Sequence, residues 1–321
     1  GVMGLRGVRL ADGQEIAAAQ VVLAPGHSAR DTFERLHQQG VAIESKPFAI
    51  GVRIEHPQSL IDRARWGAAA GHPRLGAAEY KLVHHCASGR AVYSFCMCPG
   101  GLVVGATSEQ GCVVTNGMSQ HSRNERNANS GIVVNIEPDD VEAYGAFPGD
   151  PLAGVAFQRH WEQRAFELGG SSFAAPAQRL GDFLAGRASE QLGVVTPSYA
   201  PGITLTDLSS ALPEEVIAAL REALPAFNRS IEGYAMDDAL LTGVETRTSS
   251  PIRLPRHSES AADALQSVNT PGLYPAGEGA GYAGGILSAA MDGIRVAEAV
   301  AITLRRRWHQ GEPGGSACDP A

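Results

Sequence analysis

Near its C-terminal end the chain reads 271-PGLYPAGEGAGYAGGILSAAMDGIRVAEAV-300, in which six glycines fall from Gly272 to Gly285. The segment 273-LYPAG-277 predicts a short strand and a turn, and a helix is expected from about Gly285 to Trp308. Apolar residues at helical spacing predict the helix face that packs on a core. They are Ile286, Ala289, Ala290, Ile294, Ala297 and Val300.

A strand, a glycine-rich turn and a helix start can together bind an anion. Glycines let the backbone approach a ligand closely. The first turn of a helix has unpaired N–H groups and a partial positive charge, which suit a phosphate or a group that develops negative charge. A glycine-rich turn that packs a helix tightly on a sheet explains the pattern equally well, so the pattern alone leaves both interpretations open.

The first residues predict further strands and a helix. The run 5-LRGVRLADGQEIAAAQVVLAPG-26 alternates apolar and polar residues, and Asp12-Gly13 is a hairpin turn signal. The apolar run 21-VVLA-24 predicts a strand buried on both faces that stops at Pro25-Gly26. Residues 30–40 predict an amphipathic helix with Gly40 as its C-cap.

The middle of the chain has a different texture, rich in strands and loops. Strands are predicted at 48–55, 91–98, 101–108 and 132–137, a polar loop at 115–131, and helices at 151–168 and 213–227. This contrast predicts an α/β fold, α+β overall, in which a β-rich domain with helices interrupts a discontinuous domain. The discontinuous domain is expected at 1–45 and 234–310, the insertion at 46–233 and a disordered tail at 311–321.

Composition limits the possible functions. The chain has 321 residues, 44% of them hydrophobic and 19% charged, which is typical of a soluble globular protein. A net charge of −8 argues against sequence-independent nucleic-acid binding. No apolar run is long enough for a membrane span. No signal peptide is evident and the cysteines form no disulfide framework, so we expect a reducing, cytoplasmic setting. The five cysteines are Cys86, Cys96, Cys98, Cys112 and Cys318.

The segment 275-PAGEGAGYAGGILSAAMDG-293 resembles the C-terminal FAD-binding motif of flavoproteins with a glutathione-reductase type of FAD domain. The segment 21-VVLAPG-26 resembles a second element of these proteins, a meander that ends in an Ala-Thr-Gly-like turn, with Pro25 in place of the threonine. The resemblance implies that Glu278 lies near the ribityl–phosphate region and that the helix start faces the flavin. It implies cofactor contacts at Pro25, Gly26, Gly277, Glu278, Gly279, Ala280, Gly281, Tyr282, Gly284, Gly285 and Ile286.

Almost the whole chain resembles a bacterial family of uncharacterised FAD-dependent dehydrogenases, the NAD(P)/FAD-dependent oxidoreductases. The segments that carry this resemblance are 51–62, 80–86, 93–101, 115–131 and 245–253. It implies an incomplete Rossmann-like FAD domain, because the Gly-x-Gly-x-x-Gly unit that opens such domains is not found. Gly1 is not an initiator, so we expect part of a longer protein.

The implied activity is hydride transfer through flavin N5, with the inserted domain covering the flavin, a small-molecule substrate and NAD(P)H as a possible electron donor. The oligomeric state is not predicted. Two alternatives stay open. One is a truncated, non-catalytic flavoprotein relic. The other is a thiol-redox protein that uses Cys96 and Cys98, which share one face of a strand.

A few further residues are candidates for chemistry. Arg247 is a candidate active-site residue, and Arg123, Asn124, Arg126 and Asn127 offer donors to an anionic substrate. The spacing of His84, His85 and Cys86 with the later cysteines matches no zinc motif, so no metal site is predicted.

Overall fold

The computed structural model describes residues 5–261 and 263–309, so the tail predicted at 311–321 lies outside the described residues. The strands are β1 (Gly7–Arg9), β2 (Glu15–Ala17), β3 (Val21–Leu23), β4 (Glu44–Ser45), β5 (Phe48–Pro57), β6 (Val83–His85), β7 (Ala91–Cys98), β8 (Gly101–Gly105), β9 (Thr115–Ser119), β10 (Asn127–Ile136), β11 (Ala175–Arg179), β12 (Ile203–Leu205), β13 (Leu240–Glu245), β14 (Ile252–Arg253) and β15 (Leu273–Pro275). The α-helices are α1 (Arg30–Gln38), α2 (Gln58–Trp66), α3 (Pro138–Val141), α4 (Ala153–Leu168), α5 (Leu180–Ala185), α6 (Glu214–Phe227) and α7 (Ile286–His309).

The chain forms two compact units. The first unit comprises Gly1–Pro47, Pro138–Val155 and Ser249–Ala321, and the second comprises Phe48–Glu137 and Ala156–Thr248. The first unit thus includes Pro138–Val155, a stretch that the sequence placed in the insertion. Within the described residues, no helix is both long enough and apolar enough to cross a membrane.

A seven-stranded mixed sheet forms the second unit, in the order β12-β11-β13-β5-β10-β7-β6. Its neighbours pair antiparallel except β11 and β12, which run parallel. The two long strands β5 and β10 pair over their full length, from Asn127 opposite Pro57 to Ile136 opposite Phe48. Helices α2 and α6 pack on this sheet, and so does the hairpin of β8 and β9. The mixed α/β fold predicted from the sequence is confirmed.

The sheet buries polar residues as well as apolar ones. Alternate residues of a strand face opposite sides, and in β5 the buried residues include Val52 and Ile54 but also Arg53 and Glu55. Arg53 contacts Asn116 of β9, so its side of the sheet lies under the hairpin. A Cβ at Gly117 would lie 2.4 Å from Arg53 Nη1, which shows how closely the hairpin backbone covers the guanidinium.

The first unit is built on short strand pairs. The predicted hairpin is present, with β1 and β2 antiparallel and Gly7 opposite Ala17. Helix α1 is also present, with Phe33 fully buried and Gly40 following its end at a φ of +79°. The prediction that the run at 21–24 is buried on both faces is wrong. Strand β3 pairs with β15 in a two-stranded sheet, which leaves Val22 49% exposed.

The buried face of α7 differs from the predicted face. Its buried residues are Asp292, Val296 and Ala299, which recur at helical spacing. Of the residues predicted to pack inward, Ile286 is 89% exposed and Ile294 is 62% exposed. Val300, another of the predicted residues, does pack against the core, so the predicted face is right there and wrong at Ile286 and Ile294.

The polar segment 115–131 is not one loop. It contains β9 (Thr115–Ser119) and the first half of β10, which begins at Asn127. Polar side chains fill the start of β10, so its composition is typical of a loop although its residues are buried. Helix α4 and helix α6 form within one or two residues of their predicted bounds.

Candidate functional site

Two glycine turns meet in the first unit, where the parallel strands β3 and β15 end. The strands pair from Val21 opposite Leu273 to Leu23 opposite Pro275, and Ala276 N–H donates to Leu23 O at 2.9 Å. A Cβ at Gly279 would lie 2.4 Å from Gly26 O, so the backbones touch and position 279 requires glycine. Ligands of α/β sheets bind beyond the carboxyl ends of parallel strands, which is where these turns lie.

An ion pair fixes the turn after β15. The Asp292 carboxylate accepts from Gly277 N at 2.7 Å and from Arg256 Nη2 at 2.5 Å. The Arg256 guanidinium also stacks on Tyr282, with 3.8 Å from its Cζ to the ring centroid, and Arg256 N–H donates to the tyrosine hydroxyl. The predicted cofactor residues Gly277 to Tyr282 are therefore held by the helix that follows them.

Two basic side chains and one acid lie near this turn. Lys46 is half-buried and donates to the carbonyls of Pro47 and Ser250. Burial and the nearby positive charge of Arg253 lower the pKa of Lys46, and the carboxylate of Glu278 opposes that shift. Glu278 lies 3.9 Å from His27, between Oε1 and Nε2. Two cations against one carboxylate leave a local excess of positive charge, which suits an anionic ligand.

The start of α7 is open. Gly284 N–H donates to Ser288 Oγ at 3.3 Å, and that hydroxyl donates to Gly285 O. A Cβ at Gly284 or Gly285 would meet no atom within 4 Å. The first N–H groups of a helix have no backbone partner within the helix; here Ser288 Oγ accepts from Gly284, and the space beside Gly284 and Gly285 is open.

A second cluster lies in the second unit, around the buried Arg53. Its guanidinium binds Glu245 through both Nε and Nη2, and Nη2 also donates to Asn116. Nη1 donates to Cys96 O at 2.8 Å and to Asn129 Oδ1 at 3.1 Å. Burial opposes the charge, but the Glu245 carboxylate outweighs this effect, so the pKa of Arg53 lies above its ordinary value.

Cys96 and Cys98 lie at a β-bulge next to this arginine. Pairing of β10 with β7 shifts between Asn129 and Gly131, and Cys96 has a φ of +44°. Such a bulge re-aims a side chain at one point of a strand. Cys96 is exposed, whereas Cys98 is 6% exposed and its sulfur donates to Cys96 O at 3.3 Å.

The predicted substrate residues separate into exposed and buried ones. Arg123 and Asn124 are exposed, and Arg126 donates to Thr196 O at 3.3 Å. Asn127 is buried in β10, where its amide donates to Glu55 Oε1 and to Thr196 O. Burial raises the pKa of Glu55, although Ser198 and Asn127 donate to its carboxylate.

Arg247 is engaged in a buried ion pair. Its guanidinium donates to Glu162 at 2.8 Å and contacts Ser108 Oγ, and the side chain is 5% exposed. Cys112 lies near this pair, with its sulfur within 4.8 Å of Glu109 and Glu162 oxygens. Because the two carboxylates already bind Arg159 and Arg247, their charge is compensated without a metal ion.

His84 forms a small polar cluster with Cys86 and Glu222 at the edge of the sheet. One potential ligand atom from each lies within 4.8 Å of the others. The Glu222 carboxylate already accepts from His84 Nε2 at 3.2 Å and from Ala87 N at 2.9 Å. These contacts give the cluster a structural role, and the absence of a metal site stays a prediction.

Comparison with known proteins identifies the family. Residues 47–248 match the family described as FAD-dependent protein, C-terminal domain-like. The chain belongs to this family. The matched residues include the whole second unit together with Pro138–Val155 of the first, whereas the glycine turns lie outside the match.

A relative from Clostridium beijerinckii, described as an uncharacterized protein, is 51% identical over 288 residues. This alignment covers 89% of the chain and 52% of the relative, so the chain spans about half the length of that protein.

Sequence reasoning missed several residues of both clusters. Lys46, Arg253 and Asp292 lie far apart in the chain. Arg253 and Asp292 fall within segments that carry the resemblance, but neither was singled out as a site residue. Arg53 and Glu55 had a detectable signal, because 48-FAIGVRIEHP-57 places two charges inside an otherwise apolar strand. Charges at such positions are almost never buried unless they are paired.

Proposed function

We propose that this chain is part of an FAD-dependent oxidoreductase and that its first unit holds the cofactor. The observation that carries the proposal is the meeting of the two glycine turns at the ends of β3 and β15, beside the open start of α7. Membership of an FAD-dependent family supports the same cofactor. The proposed binding residues are those named from the resemblance, together with Lys46 and Arg253.

The residues present fit a dinucleotide with an anionic pyrophosphate. The positive charges of Lys46 and Arg253 suit phosphate oxygens, and the backbone N–H groups of Gly285 and Ile286 suit a group that gains negative charge. The N–H of Gly284 would join them if it exchanged its bond to Ser288 Oγ for the ligand. Bound FAD would supply hydride transfer at its flavin ring. The chain itself binds and orients the cofactor, and Asp292 with Arg256 holds Tyr282 and the turn in place.

We propose a substrate-binding role for the second unit, with Arg123, Asn124 and Arg126 as donors to an anionic group. NADH or NADPH as electron donor stays a prediction. It is tested by mixing the FAD-loaded chain with each nucleotide and following flavin bleaching without oxygen. If neither nucleotide bleaches the flavin, a nicotinamide donor is excluded.

The test of cofactor binding compares two glycines of the same segment. Gly284→Leu adds a side chain at the open helix start, and Gly293→Leu adds the same side chain within α7, where a Cβ also meets no atom within 4 Å. FAD is titrated into the chain and its fluorescence quenching is followed. We expect Gly284→Leu to weaken FAD binding at least tenfold, a loss of about 1.4 kcal/mol, and Gly293→Leu to leave it unchanged.

Two results would contradict the proposal. A folded chain that takes up no FAD lacks a sufficient site of its own. Equal FAD affinity in the two variants would place the cofactor away from the start of α7. The first atom of each new side chain, its Cβ, meets open space, so we expect both variants to fold, and circular dichroism checks this.

A further inference from the structure

Cys96 and Cys98 have features that the flavin proposal does not use. A regular strand would keep residues two apart at roughly 6.5–7 Å between Cα atoms, near the limit for a disulfide. The bulge changes this spacing, because Cys96 has a φ of +44° and the ladder shifts register beside it. The Cys98 sulfur consequently donates to the Cys96 carbonyl oxygen at 3.3 Å, so the two cysteines are in direct contact at the bulge.

The two thiols differ in exposure. Cys96 is exposed to solvent, whereas Cys98 is 6% exposed. An exposed thiol can meet a second molecule, and a shielded neighbour can then attack the sulfur that has reacted. This is the arrangement of an attacking thiol and a resolving thiol.

The surroundings stabilise a Cys96 thiolate. The Cys98 thiol and the Arg53 guanidinium, which both donate to the Cys96 carbonyl oxygen, lower the pKa of Cys96 to about 5 against the effect of burial. The acid that acts on this pair, Glu245, is bound to Arg53. The neighbouring Cys96 side chain and burial raise the pKa of Cys98.

We propose that Cys96 and Cys98 form a redox-active dithiol that reduces low-molecular-weight disulfides. The Cys96 thiolate attacks one sulfur of the disulfide, the S–S bond breaks, and one thiolate leaves. Cys98 then loses its proton and attacks the Cys96 sulfur of the mixed disulfide. The second thiolate leaves, and a Cys96–Cys98 disulfide forms. The dithiol gives up two electrons and two protons, and the small disulfide becomes two thiols.

The experiment uses the 321-residue chain with Cys318→Ser throughout, so that this thiol adds no signal. An aromatic disulfide with a coloured thiolate is the probe, and no flavin is needed. The reference chain should release two coloured thiolates quickly and lose the mass of two hydrogens. Cys98→Ser should release one and keep the probe as an adduct. Cys96→Ser should lose the fast phase, and the control Cys86→Ser should behave like the reference.

A pH profile separates this role from simple exposure. A thiol of low pKa stays ionised across the neutral range. Alkylation of Cys96 by iodoacetamide should change less than about twofold between about pH 6 and about pH 8, whereas the thiolate fraction of an ordinary thiol falls roughly 80-fold. The charged groups that set this profile are Arg53, Glu245 and Cys98.

Three results would overturn the proposal. The first is a fast phase that survives Cys96→Ser. The second is a reference chain that stops at the mixed disulfide and keeps the probe. The third is an alkylation rate that falls with pH as for an ordinary thiol. All three are independent of FAD binding, so this inference and the cofactor proposal can fail separately.

Discussion

The buried pair of Arg53 and Glu245 gives a strong test of the structure. The arginine is fully buried and the Glu245 side chain is 3% exposed. Breaking a buried pair by removing one partner costs about 3–5 kcal/mol, because a charge stays in the interior without compensation. Glu245→Gln keeps one acceptor oxygen, so we expect the lower end, about 3 kcal/mol.

Hydrogen exchange with mass spectrometry measures this effect within one unit of the chain. Amides of β5 and β10 exchange through opening of the sheet. If Glu245→Gln lowers the free energy of that opening by about 3 kcal/mol, their exchange should be roughly 160-fold faster. The control is Glu167→Gln, which breaks an exposed pair with Arg164. Exposed pairs contribute about 0–1 kcal/mol. Replacing both partners, Arg53→Met with Glu245→Leu, should recover part of the loss. Exchange in Glu245→Gln less than about tenfold faster, or equal to the control, would refute the reasoning.

Three further predictions concern buried groups. Burial lowers the pKa of His56 from 6.5 to about 4. As the pH falls, this histidine is therefore protonated in the unfolded chain at a higher pH than in the folded chain. The free energy of unfolding should therefore fall by about 3 kcal/mol as the pH drops from about 6.5 to about 4, and His56→Gln should remove that slope in denaturant titrations. Gly281→Ala should cost about 2 kcal/mol by the midpoint of thermal unfolding, because its φ is +83° and its Cβ would lie 2.6 Å from Ile252 O. Asp292→Asn should cost about 2 kcal/mol by faster exchange of the turn after β15, because Arg256 loses its carboxylate.

Each of these predictions has a contrary outcome. An unchanged pH slope in His56→Gln would assign the slope to another group. Gly293→Ala is the control for Gly281→Ala, since its added Cβ meets open space, and equal midpoints would exclude strain at Gly281. If the amides of the turn after β15 exchange at the same rate in Asp292→Asn as in the unsubstituted chain, the ion pair with Arg256 does not hold the turn.

Local signals in the sequence predicted most regular elements. The turn at Asp12-Gly13 predicted the hairpin, and apolar periodicity predicted α1, α4 and α6. These features depend on residues near each other in the chain. The pairing of β5 with β13 joins residues about 190 positions apart, such as Arg53 and Thr242. No local pattern could predict that pairing.

Burial was harder to predict where polar groups satisfy one another. The polar residues Asn127, Asn129 and Ser130 predict a loop at the start of β10, yet all three are buried. Glu55 and Arg53 on the neighbouring strand accept or donate the hydrogen bonds of the two asparagines. In α7 the buried Asp292 accepts hydrogen bonds from Gly277 and Arg256. Apolar periodicity cannot predict the burial of a charged residue such as this one.

The contacts of Arg53 favour a role in the geometry of the site over a role in stability. A buried ion pair is often no more stabilising than apolar residues of the same volume, so stability alone gives no reason to bury this arginine. Its three nitrogens nevertheless reach four groups, on β13, β7, β9 and β10. One contact, to Cys96 O, fixes the backbone at the bulge. The planar fork of a guanidinium can bind in these directions at once, which an ammonium cannot. The same charge favours the thiolate of Cys96, so one buried residue both shapes the bulge and activates the thiol that the bulge exposes.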